Sequence, residues 1–282
     1  MQIAVDGLAA RLGDLIDPLP PSANGVTARS VPPCLQFREA PRWRTMAKRD
    51  GTWNVLPHRP IEKLSPNLWR VEGDLKDMPL KRVMTLARRT DGTLVVHNAI
   101  SLEDTAMAEI DDFGKVAYVI VPNGFHRLDA AAYRSRYPDA QFFAPSGARE
   151  KVQQVVDVHG ACEDFPTDES VSYTTLAGTG GGEGVLTVKS DEEVTLVLND
   201  VVFNMPHVPG IKGYVLRYVT ASTGGPRVSR VGKLFLIKDK AALREHLNRL
   251  ADTPRLRRII VSHHETIETD PAGTLRRVAA EL

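Results

Sequence analysis

Cysteine is scarce in this chain: Cys34 and Cys162 are the two present in 282 residues. Two are too few for a disulfide scaffold or a thiolate zinc site, and they fit a reducing compartment. Charge of one sign is also lacking. Thirty-six lysines and arginines face 35 aspartates and glutamates, so the overall balance makes no electrostatic case for nucleic acid or an acidic membrane surface. The basic clusters at Arg88-Arg89 and Arg255-Leu256-Arg257-Arg258 read as solvated rims. No window approaches the roughly 20 apolar residues that span a bilayer. The first residues, MQIAVDGLAARLGDLIDPL, are interrupted by Asp6, Arg11 and Asp14, where a secretory signal keeps an unbroken apolar run. Internal repeats are absent. These absences lead to the expectation of a cytoplasmic soluble protein with a small-molecule ligand and neither nucleic acid nor membrane as partner; they say nothing of oligomeric state.

What is present is the composition of an ordinary globular protein, 42% hydrophobic and 25% charged. Residues 1–60 read as an N-terminal arm or cap packed on the core. Leu8, Leu12, Leu15 and Ile16 share one helical stripe, and a proline-rich stretch follows in which Trp43 and Trp53 could serve as buried anchors, with Trp69 beyond it. From residue 61 onward the texture is that of one large domain. Asp91-Gly92 marks a hairpin turn before a strand over residues 93–97. Ser101-Leu102-Glu103-Asp104 reads as a capped helix start, with the helix ending near Gly114. Residues 116–121 form a buried strand, 128–137 a helix, and 141–144 a second apolar strand. Thr179-Gly180-Gly181-Gly182-Glu183-Gly184 lacks the Lys-Ser/Thr pair of a phosphate loop and reads as a flexible hairpin turn. Strands at 184–189 and 193–198, a helix at 241–250, a strand at 259–261 and a helix at 271–280 complete the order. Such alternation, with hairpins among the crossovers, predicts mixed sheets with helices outside.

Four places give this order a family resemblance. After the strand at 116–121 comes Pro122-Asn123-Gly124-Phe125-His126-Arg127-Leu128-Asp129. The strand of residues 93–97 continues as His97-Asn98-Ala99. Leu196-Val197-Leu198-Asn199-Asp200 ends a strand in an acid, and Ile259-Ile260-Val261-Ser262-His263-His264 ends one in histidines. Together these resemble the metallo-β-lactamase superfamily over roughly residues 64–282, in a branch with a degenerate zinc motif that keeps a lone histidine in the first loop. The resemblance implies an α+β fold, a four-layer αββα sandwich of two mixed β-sheets flanked by helices. In that superfamily the first loop carries His-x-His-x-Asp-His as zinc ligands. Here His126 is the histidine of that loop, and Asn123, Phe125 and Leu128 cannot replace the lost ligands. His97 and Ala99 stand where an acid and a glycine are usual, and Asn199 and Ser262 where glycine is usual. Asp200 matches the metal-bridging aspartate, and His263 matches the last histidine ligand.

By this resemblance His126, Asp200 and His263 are the metal-ligand candidates, enough for one zinc or other divalent ion; a pocket holding no metal is the other reading. His97, Asn123, Asp129 and His264 are candidates for the pocket or for orienting the ligands. His264 and His207 could instead be surface residues, and His58, His159 and His246 have no evident convergent partners. The expected function is that of a hydrolase-like protein with an at most mononuclear site, acting on a small ester, lactone, amide or phosphoester. The alternative is a non-catalytic, metal-free binding or structural module. Binuclear zinc chemistry and β-lactam hydrolysis are not expected.

Overall fold

A computed structural model describes residues 51–76 and 78–282. The expectations for the first fifty residues, including the amphipathic stripe, Trp43 and Cys34, lie outside the described residues. Seven strands form the first sheet in chain order: β1 (Glu62–Ser65), β2 (Leu68–Leu75), β3 (Met78–Arg88), β4 (Leu94–His97), β5 (Val116–Ile120), β6 (Gln141–Ala144) and β7 (Gly160–Ala161). Its first four strands run antiparallel and its last four, β4 to β7, parallel. Helices α1 (Asp104–Phe113) and α2 (Ala130–Arg136) supply the crossovers, and α3 (Arg149–Gln153) follows β6. The second sheet contains β8 (Val171–Thr175), β9 (Gly184–Ser190), β10 (Glu193–Leu198) and β13 (Leu256–Val261), in the order β13-β10-β9-β8, with β10 and β13 parallel.

The layering follows from period-two alternation in strands that are apolar on both faces. Along β3, Val83 and Ala87 face the second sheet, while Met84 and Leu86 face the helices. Along β4, Val95 faces inward and Leu94 and Val96 outward. The second sheet repeats the pattern: Val197 and Ile260 meet the first sheet, and Leu196, Leu198, Ile259 and Val261 face its own helices. Three cores result. One lies under α1 and α2 with Met107, Ile110 and Tyr133, one lies between the sheets, and one lies under α6 (Lys240–Ala251) and α7 (Pro271–Ala280) with Leu243, Leu247, Leu275 and Val278. Three cores separate four layers, so the αββα sandwich is present.

Between β10 and α6 the chain makes an excursion. A small two-stranded ribbon pairs β11 (Phe203–Met205) with β12 (Gly225–Arg227). Between them lies α4 (Gly210–Tyr214), continued by a π-helix over Val215–Val219, and α5 (Arg230–Phe235) follows the ribbon.

Two local expectations are corrected. Ser101 does not cap α1, which starts at Asp104 without a side-chain cap; the Ser101 hydroxyl is buried and donates to Asp129 Oδ1 at 3.0 Å. The glycine-rich stretch does join β8 to β9 as a hairpin, with Thr175 opposite Gly184, but it is packed rather than loose. Gly147 N donates to Gly181 O at 2.9 Å, and a Cβ at Gly147 would meet Gly180 O at 2.6 Å. Glu183, at the end of that stretch, is fully buried. Trp53 is half-buried: its indole N–H donates to Leu102 O at 2.8 Å and its ring stacks on Tyr133 at 5.3 Å.

A candidate metal centre at the strand ends

Parallel pairing sets the site. The C-terminal ends of β4 and β5 lie side by side in one sheet, and those of β10 and β13 in the other. Antiparallel β3 and β9 bring their N-terminal halves to the same edges, since Thr85 pairs with His97 and Val185 with Leu198. Residues at or just beyond these ends are therefore gathered: Lys81 and Arg82 on β3, His97 at the end of β4 and Asn98 after it, residues 121–129 after β5, Glu183 before β9, Asp200 after β10 and His263 after β13.

His126, Asp200 and His263 meet there. One donor atom from each lies within 4.8 Å of the others. His126 Nε2 and His263 Nε2 both face the same oxygen, Asp200 Oδ1, at 2.9 and 3.0 Å. The two imidazoles lie 4.9 Å apart between centroids, and Phe203 stacks on the outer face of His263 at 5.0 Å.

The other ring nitrogens are spoken for. Asn98 sits in the left-handed region at φ 60°, which asparagine tolerates better than most residues. Its Nδ2 donates to Val83 O at 2.8 Å, which turns its Oδ1 toward His126 Nδ1 at 3.0 Å. His263 Nδ1 faces the carbonyl of Lys81 at 2.7 Å. Both acceptors are oxygens without protons, so each Nδ1 turns its N–H to them and each Nε2 is the nitrogen left facing Asp200.

Asn123 holds the remaining side of Asp200. Its Oδ1 accepts from the amides of Phe125 and His126 at 2.8 and 3.1 Å, fixing the amide orientation and the turn that presents His126. Its Nδ2 then donates to Asp200 Oδ2 and to Glu183 Oε1, both at 2.7 Å. Asn199 Nδ2 adds a 3.1 Å bond to Glu183 Oε1. Among the described residues Glu183 Oε2 has no hydrogen-bond partner. Two carboxylates thus share one amide in a dry pocket, and their titration splits. Burial, reinforced by the charge of Asp200, pushes Glu183 well above the carboxylate range against the bonds from Asn123 and Asn199. Burial acts on Asp200 in the same sense, but His126 and His263 outweigh it and hold its carboxyl well below the range. Burial lowers the His126 imidazole although Asp200 opposes the shift.

The other candidates take different places. His97 is buried beside His126, its Nδ1 without a partner among the described residues, and burial lowers it to about 3. Asp129 bonds none of the three donors; it pairs with buried Arg82 at 2.6 Å and accepts from Ser101. It anchors the far end of the loop that Asn123 anchors at the near end. His264 is buried rather than a surface residue; it adopts φ 65°, and its Nε2 accepts from Lys81 N at 3.2 Å. Burial, with help from His263 and Lys81, lowers it to about 4. His207 is exposed and bonds Thr223 at 3.0 Å. His159 and His246 accept backbone amides of Phe142 and Ala177. The residues that sequence reasoning missed are Glu183, Asn98 and Arg82. Glu183 carried a signal, an acid between glycines that directly precedes an apolar strand, but the glycines pointed to a loose turn.

No family model matches the chain, and no curated protein does. Solved structures are similar to it in fold. A metallo-β-lactamase from Erythrobacter litoralis with β-mercaptoethanol in the active site superposes with a TM-score of 0.55 at 13% identity, covering 79% of this chain and 96% of the other. A metallo-β-lactamase from Hirschia baltica gives 0.53 at 13% identity, over 78% and 98%. The metallo-β-lactamase FIM-1 from Pseudomonas aeruginosa, in its mono-zinc form, gives 0.52 at 10% identity, over 82% and 98%. The chain has a metallo-β-lactamase-like fold.

Proposed function

We propose that this chain is a hydrolase with a mononuclear site, in which His126, Asp200 and His263 hold one zinc or another divalent ion. The observation that carries the reading is the convergence of two imidazole nitrogens on one carboxylate oxygen. With each Nδ1 turned to an oxygen acceptor, the two imidazole Nε2 atoms point at one carboxylate oxygen from 2.9 and 3.0 Å. Acceptor facing acceptor at that range is repulsive unless a cation lies between. The cation is either a second proton on each ring or a bound ion, and the burial that lowers the His126 imidazole weighs against the proton. Two imidazoles and a carboxylate are a normal donor set for zinc, one short of closure, which is the composition of a catalytic rather than a structural site.

A bound ion of this kind supplies Lewis acidity and a more acidic water at neutral pH. The protein's own groups do the positioning. Asn98 and the Lys81 carbonyl keep both histidines in the coordinating tautomer, Asn123 orients Asp200, and Phe203 limits the swing of His263. Phe125 and Leu128, 57% and 44% exposed on either side of His126, give the surrounding surface an apolar character. That character suits a small ester or lactone first, an amide next, and a phosphoester least.

A second reading has an observation of its own. Asp200 already receives Asn123 on Oδ2 and two imidazoles on Oδ1, so doubly protonated histidines would make a closed, metal-free network in a binding module. Metal content decides between the two. Protein produced in zinc-supplemented medium is expected to retain close to one equivalent by elemental mass spectrometry, and Asp200→Asn or His263→Ala to lose it. Folded protein with no metal, unchanged in melting temperature by chelator or added zinc, would overturn the proposal. A panel of aryl esters, lactones, amides and phosphoesters then tests the substrate order.

A further inference from the structure

Aspartate and glutamate make up 35 of 282 residues, about one in eight, yet none falls between Val201 and Lys238. That stretch contains Lys212, Arg217, Arg227, Arg230, Lys233 and Lys238. It is the excursion described above, and it is also where the protein shows apolar surface. Ile211 is 84% exposed, Tyr214 63%, Tyr218 52%, Val219 54% and Leu234 62%.

The exposure follows from a helix that is apolar on two faces. Along α4 and its π-helical continuation, Gly213, Leu216 and Thr220 are buried. Gly213 allows the close approach, since a Cβ there would meet Val208 O at 1.6 Å. Ile211, Tyr214 and Tyr218 are left exposed, with the two tyrosine rings 4.7 Å apart. A soluble helix ordinarily presents a polar outer face. The cations around this one are held toward solvent: the Arg217 guanidinium lies over the Tyr218 ring at 5.1 Å, and Arg230 donates to the carbonyl of Tyr218 at 2.8 Å rather than to a carboxylate.

We propose that this face docks on an anionic phospholipid surface. Ile211, Tyr214, Tyr218, Val219 and Leu234 enter the boundary between headgroups and acyl chains, and the basic residues meet lipid phosphates. This is the composition of a helix lying in a membrane interface, with bulky apolar and tyrosine side chains beside lysine and arginine. Among the described residues no helix is long and apolar enough to cross a membrane, so the contact is peripheral. A second copy of the chain is a poor occupant, because a two-fold interface would set this stretch, which has cations and no carboxylate of its own, against itself. Nucleic acid is disfavoured by the aliphatic side chains Ile211, Val219 and Leu234, which give no stacking platform for bases. The proposal does not depend on the metal reading, because none of these residues contributes to the donor set.

The test is co-sedimentation of the full chain with vesicles of phosphatidylcholine alone and of phosphatidylcholine mixed with phosphatidylglycerol. Binding is expected to the mixed vesicles and not to the neutral ones, and it should weaken as salt rises from about 0.05 to 0.5 M, because the Debye length falls severalfold. Ile211→Asp/Tyr214→Asp/Leu234→Asp should reduce binding at least tenfold while leaving the thermal melt unchanged, since these side chains pack on little. Arg217→Glu/Lys238→Glu should reduce it through charge alone. No binding to mixed vesicles, or equal binding to both kinds, overturns the proposal. So does a dimer in analytical ultracentrifugation that the same substitutions dissociate, or displacement from mixed vesicles by a single-stranded oligonucleotide.

Discussion

Replacing Asp129 by alanine tests whether the loop that presents His126 is held by a buried ion pair. Arg82 and Asp129 have side chains only 5% exposed and lie 2.6 Å apart. Removing the carboxylate leaves the Arg82 guanidinium without its counter-charge and the Ser101 hydroxyl without its acceptor. Stranding one charge of a buried pair costs about 3–5 kcal/mol. For a chain of this size that corresponds to a melting temperature lower by roughly 6–20 °C. Replacing both partners with apolar residues of similar volume, Arg82→Met/Asp129→Leu, should recover most of that loss, because the desolvation penalty of both ions disappears with them. Equilibrium unfolding in urea of the wild type, Arg82→Met, Asp129→Leu and the double variant closes the cycle, with Asp129→Ala measured beside them. A loss below about 1 kcal/mol in Asp129→Ala, or a double variant as unstable as the sum of the singles, would refute the reasoning and mean that Arg82 reaches water.

Asn98→Ala removes the acceptor of His126 Nδ1; zinc affinity by calorimetry should fall about 10- to 100-fold, as for other orienting partners of ligands, with the tautomer shift visible in histidine nitrogen NMR. Zinc stoichiometry should not exceed one, and nitrocefin turnover should be undetectable, because Asn123, Phe125 and Leu128 supply no second set of ligands; two tightly held equivalents contradict this. Zinc affinity should also weaken in acid, at a pH below the ordinary imidazole value of about 6.5 because burial lowers the His126 imidazole, as protonation competes for its nitrogen. Asp168 receives the amides of Thr90, Ser170 and Val171 and the hydroxyls of Thr90 and Ser170. Burial alone would raise its carboxyl, but these bonds hold it below its usual value. Its contribution is therefore complete above about pH 3.9 and lost as pH falls through the lower folded value. Asp168→Ala should cost at least about 2 kcal/mol near neutrality, and its deficit relative to the wild type should shrink below about pH 4.

Local pattern made the sandwich legible. The runs 116–121, 141–144, 193–198 and 259–261 are apolar on both faces, which is the signature of strands covered on two sides, and the helices at 241–250 and 271–280 show their stripes. His126, Asp200 and His263 were legible because each follows such a strand. What escaped depends on partners distant in the chain. Glu183 is buried because Asn123 and Asn199 come to it from 60 and 16 residues away, and a glycine-rich context conceals that. Asp129 shares a loop with His126, which points to the pocket, yet Arg82, from β3, takes its carboxylate. His264 was assigned to pocket or surface, where its left-handed backbone gives it to Lys81 instead. The acid-free stretch could be counted in the sequence, but only the fold shows that its apolar residues face outward.

The three candidate ligands come from different sheets. His126 follows β5 in the first sheet, while Asp200 and His263 follow β10 and β13 in the second, at sequence separations of 74 and 63 residues. The backbone bond from Val83 N to Ser262 O, at 2.9 Å, crosses the same seam. Each sheet is drawn from its own continuous segment of the chain, β1 to β7 and then β8 to β13, but there is no site until the two layers dock, which is the step with the longest loops to close. Zinc added during refolding would then act as a clock for docking: capture should lag the recovery of far-ultraviolet circular dichroism and coincide with burial at the interface between the sheets. On the proposed metal reading, metal availability in cells would selectively stabilise finished molecules, since half-assembled ones have nothing to bind it with.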